Sequence, residues 1–91
     1  MKHAGPAALD RLEPFLGQLR KLSALREKSR GIFYRDGRAF LHFHERGDQF
    51  FADVRLVTEF ERLPATTRAE RADLIKRVRA TLADGSSRQA R

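Results

Sequence analysis

Two histidines one residue apart, His42 and His44, are the pair in this chain best placed to do chemistry. On an extended strand, residues two apart point to the same side, so His42-Phe43-His44 aims two imidazoles at a point where they can share a metal ion. Asp53 falls opposite Phe40 and diagonal to His42 in the expected strand pairing. The three residues then form a two-histidine, one-carboxylate set, of the kind that holds zinc or iron with coordination positions left open. The same H-x-H pattern also arises where the rings only hydrogen-bond or stack beside Phe51, and the sequence offers no further ligand.

A second set shares the same strands. Phe33, Phe40 and Phe51 interleave with Arg35, Arg38 and Arg55. On a sheet surface, rings of this kind stack nucleobases, worth about 1–3 kcal/mol each, while guanidiniums neutralise phosphates. No ribonucleoprotein motif of the K/R-G-F/Y type accompanies them. A half-apolar face of this composition is equally suited to being covered, by the amino-terminal segment, by the region of Phe60, or by a second copy of the chain or another protein. Other chemistries find no foothold: there is no G-x-S-x-G elbow, phosphate-binding loop, G-x-G-x-x-G, H-E-x-x-H or cysteine nucleophile. No catalytic residue and no cofactor is assigned.

The elements that must position these residues can be read from periodicity. Leu9, Leu12, Phe15, Leu16, Leu19, Leu22 and Leu25 recur mostly at spacings of three and four, as on an amphipathic helix. Pro14 places the start of the regular helix near Glu13, with residues 7–12 as a separate turn or kinked extension. The polar run Arg26 to Gly31 reads as a loop. Strands are expected over Ile32 to Arg35, Arg38 to His44 and Gln49 to Val57, with a short fourth strand over Glu59 to Leu63 ended by Pro64. Asp36-Gly37 is a type I′ turn signal, and Arg46-Gly47, or the whole Glu45 to Asp48 tetrapeptide, makes the next reversal. Thr67-Arg68-Ala69-Glu70 is a capping box opening a helix on Leu74, Ile75, Val78 and Leu82, with Gly85 as its stop. This helix also carries Arg68, Arg71, Lys76, Arg77 and Arg79, partly matched by Glu70 and Asp73, an ordinary solvated face.

These turns fix a register. Pairing about Asp36-Gly37 and Arg46-Gly47 collects Ile32, Tyr34, Ala39, Leu41, Phe43, Phe50, Ala52, Val54 and Leu56 on one side, the expected core. The aromatic, arginine and histidine residues fall on the other. The fold class is therefore α+β: a helix, a three- or four-stranded antiparallel meander and a closing helix, both helices packed on one sheet face. Residues 1–85 form one domain and 86–91 a disordered polar tail.

The composition narrows the setting. The chain has 91 residues, 41% of them hydrophobic, seven phenylalanines and no cysteine. It supports one thin core without disulfides or thiolate metal sites, which fits a reducing cytoplasm. No signal-peptide core or membrane-spanning run occurs. A formal charge of +7, with fifteen arginines to four lysines, favours polyanionic partners. Arg88 and Arg91 in the tail add to that attraction.

The stretch Gly31 to Phe40, with Phe40-Leu41-His42-Phe43-His44 and Phe51-Ala52-Asp53-Val54-Arg55-Leu56 after it, resembles the meander of small bacterial domains of the Sxy/TfoX amino-terminal and YjbR types. The resemblance covers residues 31–83. It implies a helix, an antiparallel meander and a closing helix, with a regulatory or DNA-associated role, and assigns no functional residue. The expectation from sequence is a non-enzymatic binding module that takes nucleic acid on the Phe/Arg face. Its alternatives are protein interaction or homodimerisation through that face, and a metal-binding, enzyme-like domain using His42, His44 and Asp53.

Overall fold

The computed structural model describes residues 1–89, with side chains through residue 83. The order of elements is β1 (Lys2–His3), α1 (Pro6–Arg20), β2 (Arg26–Ser29), β3 (Ile32–Arg35), β4 (Arg38–Arg46), β5 (Gln49–Val54), β6 (Glu61–Pro64) and α2 (Arg68–Gln89). The fold is α+β, with an antiparallel sheet in the order β2-β3-β4-β5-β6, and β1 paired to β4 beyond the end of β3. Both helices feed one buried cluster: Leu12, Phe15, Leu16 and Leu19 from α1, and Leu74 and Val78 from α2, meet Phe43, Ala52 and Val54 of the sheet.

Helix α1 is longer than expected. It runs unbroken from Pro6 with Pro14 inside it. Pro6 occupies the first turn, where its missing N–H is not needed and its fixed φ suits the helix. Pro14 is exposed, and the apolar stripe of Ala8, Leu12, Phe15, Leu16 and Leu19 is buried on both sides of it. Packing of that stripe outweighs the hydrogen bond that Pro14 cannot make.

The polar segment expected to be a loop is an edge strand. β2 pairs with β3 around a two-residue Arg30-Gly31 turn, since Ser29 lies opposite Ile32. Its residues show no apolar alternation because most of them face water. Gly31 has φ +80°, a backbone conformation that favours glycine, and a Cβ there would stand 2.7 Å from Leu9 Cδ2, so the leucine side chain would have to move. Ion pairs bind this hairpin to α1: Arg20 bridges Glu13 and Glu27, while Arg30 reaches Asp10 and Glu13 at 2.8 Å each.

The Asp36-Gly37 turn forms as expected, with φ 53° and 80° at its two centres. Arg35 pairs with Arg38 and Tyr34 with Ala39, but the next pair is Phe33 with Leu41. The ladder has slipped by one residue at Phe40. Such a bulge sets two residues against one and reverses the side-chain phase beyond it. Phe33 and Phe40 consequently join Leu41 in the core, at 0%, 2% and 0% exposure, whereas Ile32, Tyr34 and Ala39, expected there, are only half-buried. On the other side of the bulge the expected phase holds. β4 pairs with β5 about Gly47-Asp48 instead of Arg46-Gly47, a shift of two residues that leaves every side chain on its expected face. Leu41, Phe43, Phe50, Ala52 and Val54 are buried against the helices.

The fourth strand exists as β6, two residues later than expected at its start, and is paired to β5. The capping box is formed: Thr67 Oγ accepts the Glu70 N–H at 3.0 Å, and Glu70 Oε1 accepts the Thr67 N–H at 3.0 Å. α2 passes Gly85, expected as its stop; glycine inside a helix costs about 1 kcal/mol relative to alanine and does not end it by itself. Of the tail expected over 86–91, residues 90 and 91 lie outside the described residues, as do the side chains of the rest. Among the described residues no helix is long and apolar enough to cross a membrane.

Two outcomes follow from this packing. Phe33→Ala removes a wholly buried ring and is expected to destabilise the protein by about 3–5 kcal/mol in urea unfolding, whereas a solvent-facing platform ring would be nearly neutral. Hydrogen bonds from Arg20 and then Arg30 hold the Glu13 carboxyl down at about 2 from 4.5. The stability this contributes is complete above pH 4.5 and is lost as pH falls towards 2. In a series of urea midpoints, Glu13→Gln is expected to flatten the decline across that window.

Candidate metal centre

β4 is the central strand, and its alternation decides what the outer face carries. With Leu41 and Phe43 turned to α1, His42 and His44 must project from the opposite side. β5 brings Asp53 directly opposite His42, and Phe51 opposite His44. β6 brings Arg62 opposite Asp53. On the other flank, β1 sets His3 opposite His44. All three histidines of the chain therefore meet at one place, and their ligand nitrogens lie within 4.8 Å of one another.

The rings are in contact. His3 stacks on His44 with centroids 4.6 Å apart and planes at 29°. His42 and His44 meet edge to face at 5.0 Å, and His42 also meets Phe60 at 5.1 Å. His3 from the amino-terminal segment and Phe60 thus flank the two histidines.

The polar partners are unevenly shared. Arg62 grips Asp53 with two hydrogen bonds, Nε to Oδ1 at 2.7 Å and Nη2 to Oδ2 at 2.9 Å. This fork, more than the two imidazoles, holds the Asp53 carboxyl below its ordinary range. Asp53 Oδ2 also lies 3.0 Å from His44 Nε2 and 3.5 Å from His42 Nε2. The shorter approach is within ion-pair distance but off the line of a hydrogen bond, and both ring nitrogens of His44 are buried with no hydrogen-bond partner. His44 is only 9% exposed. Burial also pushes the His42 imidazole below its usual range, ahead of the opposing pull of Asp53. That keeps the ring in the neutral form that ligates metals.

Of the residues singled out from sequence, the structure brings together His42, His44 and Asp53. It does not bring together Phe33, Arg35, Arg38, Phe40, Phe51 and Arg55. Phe33 and Phe40 are core residues, carried inward by the bulge, and cannot stack bases. Phe51 is half-buried between His44 and Pro64 on the histidine face. Arg55 is turned to its own chain, donating to the carbonyls of Ala39 at 3.2 Å and Thr58 at 2.7 Å and lying 4.3 Å over the Phe60 ring. Arg35 flanks the buried Phe40 ring, and Arg38 is exposed at the hairpin turn.

His3 and Arg62 are the residues of the candidate site that sequence reasoning missed. A two-residue strand has no periodicity to detect, and the one available signal for His3 was that it is the chain's third histidine. Arg62 follows from the β5–β6 register, which the fourth-strand expectation left open.

No family model matches the chain, and neither a curated protein nor a solved structure is similar to it.

Removing the fork tests the electrostatics. Arg62→Ala is expected to move the Asp53 carboxyl back up towards its ordinary value, as read by a carbon-detected NMR titration of that side chain.

Proposed function

We propose that this chain is a small metal-binding domain that holds one divalent transition-metal ion on the imidazoles of His3, His42 and His44. Asp53 serves as the outer carboxylate that orients them. The observation that carries this reading is the convergence of every histidine of the chain on one point, with one of them buried and its ring nitrogens unpartnered. A buried polar group left without a hydrogen bond costs on the order of 1–3 kcal/mol. Nε2 of His44 has only Asp53, off the line of a hydrogen bond, and Nδ1 has no hydrogen-bond partner, so an ion bound to one of these nitrogens satisfies that nitrogen.

Imidazole nitrogens select zinc, copper, nickel, cobalt or iron over the hard cations calcium and magnesium. Ligands about 2.0–2.1 Å from a tetrahedral ion stand roughly 3.4 Å apart, so a set within 4.8 Å closes by turning rings, chiefly that of the exposed His3. Both Asp53 oxygens are already engaged by Arg62, which favours an outer role over direct ligation. A carboxylate beside a ligating imidazole fixes its orientation and raises its basicity. Three protein ligands leave a fourth position open, as in catalytic zinc sites, and the domain's use of it would be binding or Lewis-acid chemistry.

Nucleic-acid binding lacks two of the three stacking rings on which it was built, Phe33 and Phe40, and nothing in the arrangement of Arg35, Arg38 and Arg55 replaces them.

Calorimetric titration of the metal-free protein with zinc is expected to show one site. His42→Ala and His44→Ala should abolish it or weaken it about a hundredfold, and Asp53→Asn should weaken it about tenfold, in the range of outer-shell losses. Zinc uptake that is absent, or indifferent to both histidine substitutions, would overturn the reading.

A further inference from the structure

We infer that an ion at the three histidines clasps β1 to β4, so that metal loading and docking of the segment leading into α1 are one coupled event. This rests on the metal reading above and adds its regulation.

The three ligands are not equivalent. His42 and His44 lie two residues apart on the sheet's central strand, and β5 pairs with both of them, so their relative position is set by the fold without β1. His3 comes from a strand only two residues long, both of them exposed. Apart from the pairing of Lys2 with Glu45 and of His3 with His44, two hydrogen bonds hold this segment. Ala4 N–H donates to the Phe43 carbonyl at 3.0 Å, and Gly5 N–H to Glu45 Oε2 at 2.7 Å. The second bond also serves α1, whose N-cap Gly5 has no side chain to cap with. Segments with so few buried contacts open at a small fraction of the global stability.

An ion that bonds His3 as well as His42 and His44 binds the docked state through three imidazoles and the undocked state through two. That difference in affinity is the stabilisation it confers on docking, and the linkage is reciprocal: whatever loosens β1 weakens the ion. The stacking of His3 on His44 at 4.6 Å holds the third ligand beside the other two. Glu45 touches no histidine in this arrangement, yet it anchors the residue two positions after His3.

The test is amide hydrogen exchange by NMR on the full chain, with excess zinc and with EDTA. Exchange at Ala4 and Gly5 is expected to slow about tenfold or more with zinc. His3→Ala, a change at an exposed position, should abolish the slowing and weaken zinc binding roughly tenfold or more. Glu45→Ala should also weaken zinc binding, although it removes no ligand. Zinc binding that depends on His42 but leaves Ala4 and Gly5 exchange unchanged would overturn the clasp and leave the site standing. Zinc affinity untouched by both His3→Ala and Glu45→Ala would do the same. A protein that takes up no zinc at all would overturn both.

Discussion

The two-residue alternation of β4 beyond its bulge, from Leu41 to His44, is the constraint on which this structure depends. Leu41 and Phe43 are buried in the core, Phe43 edge-on to Phe15 of α1, each worth about 1.5–3 kcal/mol relative to exposure, and that burial sets the orientation of β4 beyond the bulge. His42 and His44 have no choice of direction once their neighbours have gone inward. A slip by one residue would drive two imidazoles into the core and two large apolar groups into water, so the energy that packs the domain also aims the candidate ligands.

The neighbouring strands then complete the outer face. β5 is held in phase with β4 by the same core, which places Asp53 beside the histidines, and β6 supplies the guanidinium that keeps Asp53 ionised and oriented. The result is a rigid base of two imidazoles and a carboxylate on central strands, with more loosely held groups, His3 and Phe60, at its margins. Ligand sites on sheet strands keep their geometry better than sites on loops, because the ladder and the core both resist displacement.

The other side of the molecule shows how a thin core is made sufficient. The Phe40 bulge brings two large rings, Phe33 and Phe40, into the core beside Leu41, in place of Ile32, Tyr34 and Ala39. The ion pairs of Arg20 and Arg30 with Asp10, Glu13 and Glu27 join α1 to the β2–β3 hairpin at the sheet's edge. These pairs are individually weak, but they share residues and so form a network joining α1 to the hairpin that follows it.

Much of this was legible in the residues themselves. Asp36-Gly37, the Thr67–Glu70 box and the 3–4 spacing of leucines specify their local structures because the relevant forces act within a few residues. The same holds for the phase of β4 and β5 around His42, His44 and Asp53, since a register error of two leaves faces unchanged. What required the tertiary structure were contacts between distant segments. The bulge at Phe40 depends on how much apolar volume the helices must fill, and it sent the supposed stacking rings inward. The continuity of α1 through Pro14 depends on a stripe that has something to pack against. By itself, then, the sequence determined the class of fold and two of the three imidazoles, through local periodicity. Only the folded chain, by laying a two-residue strand along β4, decided that His3 joins them, because no local pattern records which segment a strand edge will accept.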